Sequence, residues 1–156
     1  TIAQIIANSH QIAADLGVGC FCWSRTQNTV MLRPEFRSVR FVGPVSCTFG
    51  LRGAARSRQF DIKFEGRADF DFSLQTLLDD RILYCDTRFY FDHGRIFGGR
   101  GGNVGLIDSA KFDESGRRLA EKWGRFINRK PPGFVKKKNV STMGVRVSRT
   151  NPIAER

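Results

Sequence analysis

The chain has 156 residues, of which 40% are hydrophobic, and its formal net charge is +11 at pH 7. This length is typical of one domain with an extension, and such a domain buries a core without disulfides or metals. No stretch approaches the roughly 18 apolar residues of a membrane-spanning helix, so we expect no transmembrane segment.

The basic excess is concentrated toward the C-terminal end. Residues 1–60 carry seven basic and two acidic residues (+5), and residues 61–121 carry nine basic and twelve acidic residues (−3). Residues 122–156 carry ten basic residues and one acidic residue (+9). A basic tail on a nearly neutral body predicts that the tail contacts an anionic partner.

The chain opens with a predicted helix and a predicted short strand. Residues 2–16 carry an amphipathic stripe of isoleucines with Ala13 and Leu16, and Gly17 is a suitable helix stop. Residues 19–23 favour a strand with Phe21 and Trp23 on one face.

Three alternations of apolar and polar residues then predict three long antiparallel strands, at residues 39–51, 60–74 and 81–91. The second would extend about 50 Å at ~3.3 Å per residue and must bend, with Gly66 and Ala68 as the expected bend. In the third, Cys85 and Thr87 are the inward polar groups. Its other face, with Tyr84 and Tyr90, is aromatic enough to predict a covering helix, tail or subunit.

The remaining elements are a hairpin, a helix and a tail. Residues 92–95 favour a tight turn into a return strand, and residues 115–129 favour a helix ended by Pro131. Residues 130–156 show no periodicity, but they retain spaced apolar residues among the lysines. The sequence therefore predicts a single domain at residues 1–129 and an extended basic tail at residues 130–156.

Cysteine, histidine and acidic residues show no catalytic or metal-ligand spacing. Four cysteines, at positions 20, 22, 47 and 85, are predicted to be buried free thiols in a reducing compartment. His10 and His93 are expected on the surface, and Asp61, Glu65, Asp69 and Asp71 are expected to form cross-strand ion pairs. Asp86 and Arg88 fit the same explanation. We therefore expect no cofactor, no metal and no catalytic residue.

Two sets of basic residues are candidate binding sites. Arginines around the first predicted hairpin and in a glycine-rich loop predicted at residues 98–102 form a candidate anion-binding set: Arg37, Arg40, Arg52, Arg56, Arg58 and Arg100. The tail supplies a candidate partner-binding set: Arg129, Lys130, Phe134, Lys136, Lys137, Lys138, Arg146 and Arg149.

The long strands, ending in Arg88-Phe-Tyr-Phe-Asp-His-Gly-Arg-Ile96, resemble the terminal strands of nuclear-transport-factor-2-like (SnoaL-like) cone domains over residues 37–108. The resemblance implies an α+β fold: a strongly curved antiparallel sheet, as a cone or partly closed barrel, with N- and C-terminal helices. A lipocalin-like barrel fits the same pattern. The family includes polyketide cyclases, ketosteroid isomerases and noncatalytic docking domains of organellar assemblies, and no position here matches a catalytic motif.

Three functions remain open. The leading hypothesis is a noncatalytic accessory subunit of a large assembly, which docks through its body and its tail, because such a tail is ordered only against a partner surface. The partners would be protein subunits, with RNA or an anionic membrane surface as other sources of negative charge. The alternatives are a small-ligand carrier or enzyme with a sheet-lined cavity and a nucleic-acid-binding protein.

The first residue, Thr1, is typical of a chain processed after import. We therefore expect an intracellular protein, in a mitochondrion or plastid after removal of a transit peptide; a trimmed chain would begin in the same way.

Overall fold

The computed structural model describes residues 1–24, 37–92, 109–130 and 142–145. The helices are α1 (Ile2–Asp15), α2 (Ala68–Asp79) and α3 (Ser109–Trp123), with short 3-10 helices at Gly53–Ser57 and Gly124–Phe126. The strands are β1 (Cys20–Ser24), β2 (Val39–Arg40), β3 (Phe49–Leu51), β4 (Tyr84–Tyr90), β5 (Ile127–Lys130) and β6 (Thr142–Val145). The α+β class expected from the sequence is confirmed.

The main sheet has four strands in the order β2-β4-β1-β3, and it is open. β4 pairs antiparallel with β2, and β1 pairs antiparallel with β3, but the central strands β1 and β4 are parallel. The expectation of a wholly antiparallel sheet is therefore wrong. Parallel pairing requires a long crossover, and here the chain between β1 and β4 includes β3 and α2.

The sheet is covered on both faces. Cys20 and Cys22 of β1 pack with Phe72 and Leu77 of α2 on one face. Phe21 and Trp23, which alternate with those cysteines, pack with Ala13 of α1 on the other face. A third cluster joins α2 to α3. The predicted cover over the Tyr84 side of β4 is confirmed, because α1 buries Tyr84 and Asp86.

The N-terminal helix agrees with its prediction. Thr1 caps α1 by accepting a hydrogen bond from the backbone N–H of Gln4, and the Gln4 side chain completes the capping box. Gly17, with φ of +66°, follows the helix in a left-handed conformation that favours glycine.

The predicted strand at residues 60–74 is wrong. Turns occupy residues 62–67, Gly66 has φ of +71°, and α2 then begins at Ala68. The alternation is deceptive because α2 is buried on several sides, so that Phe70 and Leu74 face α3 while Phe72 faces the sheet. Asp69 and Asp71 lie in the first turn of α2, where their negative charges interact favourably with the positive end of the helix dipole.

The predicted strand at residues 39–51 is shorter than expected. Only its two ends, β2 and β3, are strands. Gly43 adopts φ of +128°, and Pro44 has no N–H for a ladder hydrogen bond. Both residues interrupt the strand, and Cys47 is therefore exposed rather than buried as predicted.

The last helix begins and ends earlier than predicted. Gly124, with φ of +50°, ends α3 well before Pro131. The chain continues as β5, which pairs antiparallel with β6. Residue Lys130 and residues 142–145 are thus strand residues, contrary to the expectation that residues 130–156 contain no regular element. Val145 packs against the hydrophobic core. The expected turn at 92–95 and return strand lie largely outside the described residues.

Candidate functional site

A cleft of about 350 Å³ lies between α1 and β4. We call it the α1–β4 cleft; it is lined by Ile5, Asn8, Ser9, Gln11, Ile12, Asp86, Arg88 and Phe89. Ile5, Ser9 and Ile12 point toward β4 together because residues four and seven apart share one face of a helix. The cleft therefore combines apolar walls with a few polar groups, which is the usual composition of a ligand pocket.

Asp86 provides a buried carboxylate in this cleft, with only 2% of the residue exposed. Arg88 donates from Nη2 to Oδ2 at 2.8 Å and from Nε to Oδ1 at 3.0 Å. The backbone N–H of Arg88 also donates to Oδ1, at 3.1 Å. This two-pronged ion pair compensates the buried charge. It joins two residues of the same strand and its carboxylate is buried, so it differs from the exposed cross-strand pairing that the sequence predicts.

Tyr84 is a third member of the hydrogen-bonded group that contains Asp86 and Arg88. Its hydroxyl donates to Asp86 Oδ2 at 3.3 Å. Burial and the neighbouring Asp86 carboxylate raise the pKa of Tyr84, so its phenol is a neutral donor at physiological pH. Asp86 also raises the pKa of Arg88, whose side chain is 55% exposed at the mouth of the cleft.

A hydrogen bond between Trp23 and Ser9 holds α1, which forms the other wall of the cleft, against β1. The indole Nε1–H of Trp23 donates to Ser9 Oγ at 3.1 Å in a buried contact between β1 and α1. Phe91 packs on the Trp23 ring with the ring centroids 4.7 Å apart. The helix that carries the cleft is therefore held in position by a directional bond as well as by apolar packing.

The geometry of the cleft suits binding. The Asp86 carboxylate is already paired, so the polar group most available to a ligand is the outer side of the Arg88 guanidinium. An anionic end of a ligand could pair there while an apolar body contacts Ile5, Ile12 and Phe89. Among the described residues, no group of three or more His, Cys, Asp or Glu side chains is placed to hold a metal ion.

Three of the predicted anion-binding arginines have partners inside the protein. Arg58 donates from Nη2 and Nη1 to the two carboxylate oxygens of Asp80, at 2.6 and 3.0 Å, and also pairs with Asp79. Arg52 donates to the carbonyls of Ala13 and Val18 at 3.1 and 3.2 Å, where α1 ends. A cation at this end of a helix offsets the helix dipole.

Arg40 is also turned inward. Its Nη2 donates to the carbonyl of Pro44 at 3.1 Å and contacts Cys85 Sγ at 3.6 Å. Arg37 and Arg56 are exposed, and Arg100 lies outside the described residues. The structure therefore does not bring the predicted set together as one anion-binding surface within the described part of the chain.

Two of the predicted tail residues lie within the described part of the chain. Arg129 and Lys130 belong to β5, with Arg129 half-buried and Lys130 exposed. The other predicted tail residues lie outside it: Phe134, Lys136, Lys137, Lys138, Arg146 and Arg149.

Asp71, one of the acidic residues of the strand predicted at residues 60–74, has a different role from the one predicted. Asp71 is fully buried and its Oδ1 accepts hydrogen bonds from Trp123 Nε1 at 2.7 Å and Lys122 Nζ at 2.8 Å. Its Oδ2 accepts a hydrogen bond from Gln75 Nε2 at 2.7 Å. These contacts join α2 to α3, so Asp71 is a structural carboxylate instead of a member of an exposed cross-strand network.

The cleft was not identified from the sequence, although β4 was predicted correctly. The available signal was Asp86 itself, a carboxylate between Tyr84 and Arg88 on the face that was expected to be covered. What the pattern could not supply was the element that covers it, since α1 and β4 are far apart in the chain.

Comparisons with known proteins add no further constraint. No protein-family model, curated protein or solved structure matches this chain. No helix within the described ranges is long and apolar enough to cross a membrane.

Proposed function

We propose that this chain is a noncatalytic accessory subunit of a larger assembly, which docks through its folded body and a basic C-terminal region. The observation that carries this proposal is the inward use of Arg40, Arg52 and Arg58. With those charges committed to internal contacts, the positive charge available to a partner is weighted further toward residues 122–156, which carry +9.

The exposed basic residues near the start of this region support the proposal. Arg125 and Lys130 are both exposed to solvent. A concentrated positive region attracts an anionic surface at long range and increases its association rate. We also propose that the partner orders the C-terminal tail. A cone-like curvature of the main sheet is a further part of the proposal.

The test reverses charge in the C-terminal region without cutting the chain, because β6 pairs with β5 and deletion from residue 130 would remove that pairing. We expect the triple variant K136E/K137E/K138E to be released from the native complex, so that it no longer co-sediments with the complex at physiological salt. Each lost contact weakens association, and three together should reduce affinity by at least roughly tenfold. The matched control is R56E/K63E/R81E, which makes the same charge change at exposed positions of the body.

The outcomes separate the possible partners. Release of the C-terminal variant with retention of the control supports docking through the C-terminal region. Co-sedimentation of both variants with the complex would overturn it. If the partner is RNA, ribonuclease should also release the wild type, and the log–log salt slope should fall by about 2 for three lost contacts to a single strand.

The α1–β4 cleft favours a second candidate function, the binding of a small carboxylate with an apolar body. The supporting observation is the Arg88 guanidinium at the cleft mouth beside apolar Ile5 and Phe89. Aromatic and short fatty carboxylates should raise the melting temperature of the wild type and of R56Q, and have a much smaller effect on R88Q. Equal responses of wild type and R88Q would exclude Arg88 as the anchoring group.

A further inference from the structure

Two buried cysteines lie side by side at the centre of the main sheet. Cys22 of β1 and Cys85 of β4 are register partners in the parallel pair, and both residues are 0% exposed. Neighbouring strands lie about 4.7–4.9 Å apart, which is within the roughly 4.4–6.8 Å between Cα atoms that a disulfide bridges. The two thiols can therefore be joined with little movement of the backbone.

A guanidinium is placed beside one of them. Arg40 of β2 is the register partner of Cys85 on its other side, and its Nη2 lies 3.6 Å from Cys85 Sγ. Arg40 Nε is buried without a hydrogen-bond acceptor, and none of the ion pairs within the described ranges involves Arg40. A guanidinium next to a thiol is an environment that stabilises a thiolate.

The two thiols are not equivalent. A hydrogen bond from Cys22 and the charge of Arg40 lower the pKa of Cys85 against the opposing effect of burial. The same hydrogen bond, together with burial, raises the pKa of Cys22. Cys20, on the same face of β1, has its pKa raised to about 12 mainly by burial. Cys85 is thus the favoured nucleophile of the cluster.

We propose that Cys85 and Cys22 are an oxidisable pair that reacts with a hydroperoxide, with Cys85 as the attacking thiol and Cys22 as the resolving thiol. The Cys85 thiolate attacks the terminal peroxide oxygen, so that an S–O bond forms as the O–O bond breaks. The departing alkoxide or hydroxide takes up a proton, and Cys85 becomes a sulfenic acid. The Cys22 sulfur then attacks Cys85 Sγ and releases water, which leaves a Cys22–Cys85 disulfide.

Burial makes this reaction selective for small oxidants. Neither thiol is exposed, whereas Cys47 is exposed. A bulky maleimide should therefore label Cys47 first, whereas hydrogen peroxide is small enough that we expect it to reach the buried pair when the structure opens locally. The disulfide would join the two central strands covalently and connect the stability of the sheet to the redox state of the compartment.

The test exposes the full reduced chain to graded hydrogen peroxide, blocks remaining thiols and maps the peptides by mass spectrometry. We expect a Cys22–Cys85 disulfide that dithiothreitol reverses. In C22S, a sulfenic-acid probe should label Cys85, and in C85S the disulfide should be absent. R40Q should slow disulfide formation by about tenfold because the thiolate loses its cation, whereas R40K should retain most of the rate.

The wild-type peptide map decides the matter even if a cysteine variant folds poorly. Oxidation confined to Cys47, or a disulfide that contains Cys20, would overturn the proposal. The matched control C20S keeps both reacting thiols and should form the disulfide at the wild-type rate.

Discussion

Single polar side chains fix the positions of whole helices in this protein. The Trp23 indole bonded to Ser9 and the buried Asp71 bonded to Trp123 are both contacts between elements distant in the chain. Apolar packing is non-directional, whereas a buried donor must find its acceptor. These bonds therefore select one orientation of α1 and one of α3 among the several that apolar contact alone would permit.

The Ser9–Trp23 bond gives a residue-level prediction. In S9A the indole N–H stays buried without an acceptor, which costs about 1–3 kcal/mol of the free energy of unfolding. The measurement is chemical denaturation followed by tryptophan fluorescence. S57A is the matched control, because the Ser57 hydroxyl is exposed and donates to the carbonyl of Ala54, three residues earlier in the chain. Equal stability losses in the two variants would contradict the assigned role of Ser9.

The arginines show that a sequence can reveal a group of charges without revealing what each guanidinium contacts. Their clustering was visible in the sequence, but an arginine in a binding surface and an arginine that caps a helix look the same there. Arg52 has its role only because the end of α1 lies beside it, where two carbonyls need donors. That information depends on tertiary contacts.

Among the elements, α2 is the most instructive. Its residues fit both a period of two and a period of 3.6, because buried residues point toward the sheet and also toward α3. A helix in contact with two layers loses the polar stripe that normally identifies it. By contrast, α1, β1 and β4 each have one clear covered face or a short apolar run, and their positions were predicted to within a few residues.

The contact between α2 and α3 supports a prediction about Asp71. D71N removes the charge that pairs with Lys122 and replaces an acceptor facing Gln75 with a donor. Because Lys122 is partly exposed and can be hydrated, we expect a destabilisation of about 1–3 kcal/mol. D79N, on the same helix, is the control, because the Asp79 side chain is 65% exposed and its pairing with Arg58 should contribute at most about 1 kcal/mol.

Urea denaturation of both Asp variants measures the difference, and amide exchange of α3 shows whether that helix loosens first. A D71N protein as stable as D79N would mean that apolar contacts alone hold α3 in place.

For the molecule as a whole, the residue pattern predicted the class of fold, and the charges predicted a positive excess toward the C-terminal end. Neither predicted the order and direction of the strands. Alternating patterns identify strands without specifying partners, and an antiparallel arrangement was the simpler assumption for consecutive strands. The observed order places β1 beside β4, although β2, β3 and α2 lie between them in the chain. The α1–β4 cleft and the cysteine pair both arise from that order, so neither could be derived before the topology was known.

The parallel pairing of β1 with β4 also affects the synthesis of the protein. β1 leaves the ribosome early, yet its main neighbour is complete only when Tyr90 has been added. Until then β1, with Phe21, Trp23 and two thiols, can pair with β3 alone and lacks its neighbour on the other side, and contacts between distant residues form slowly. Nascent chains that end before β4 should therefore be bound by chaperones that hold exposed aromatic segments, and chains that extend beyond it should be released.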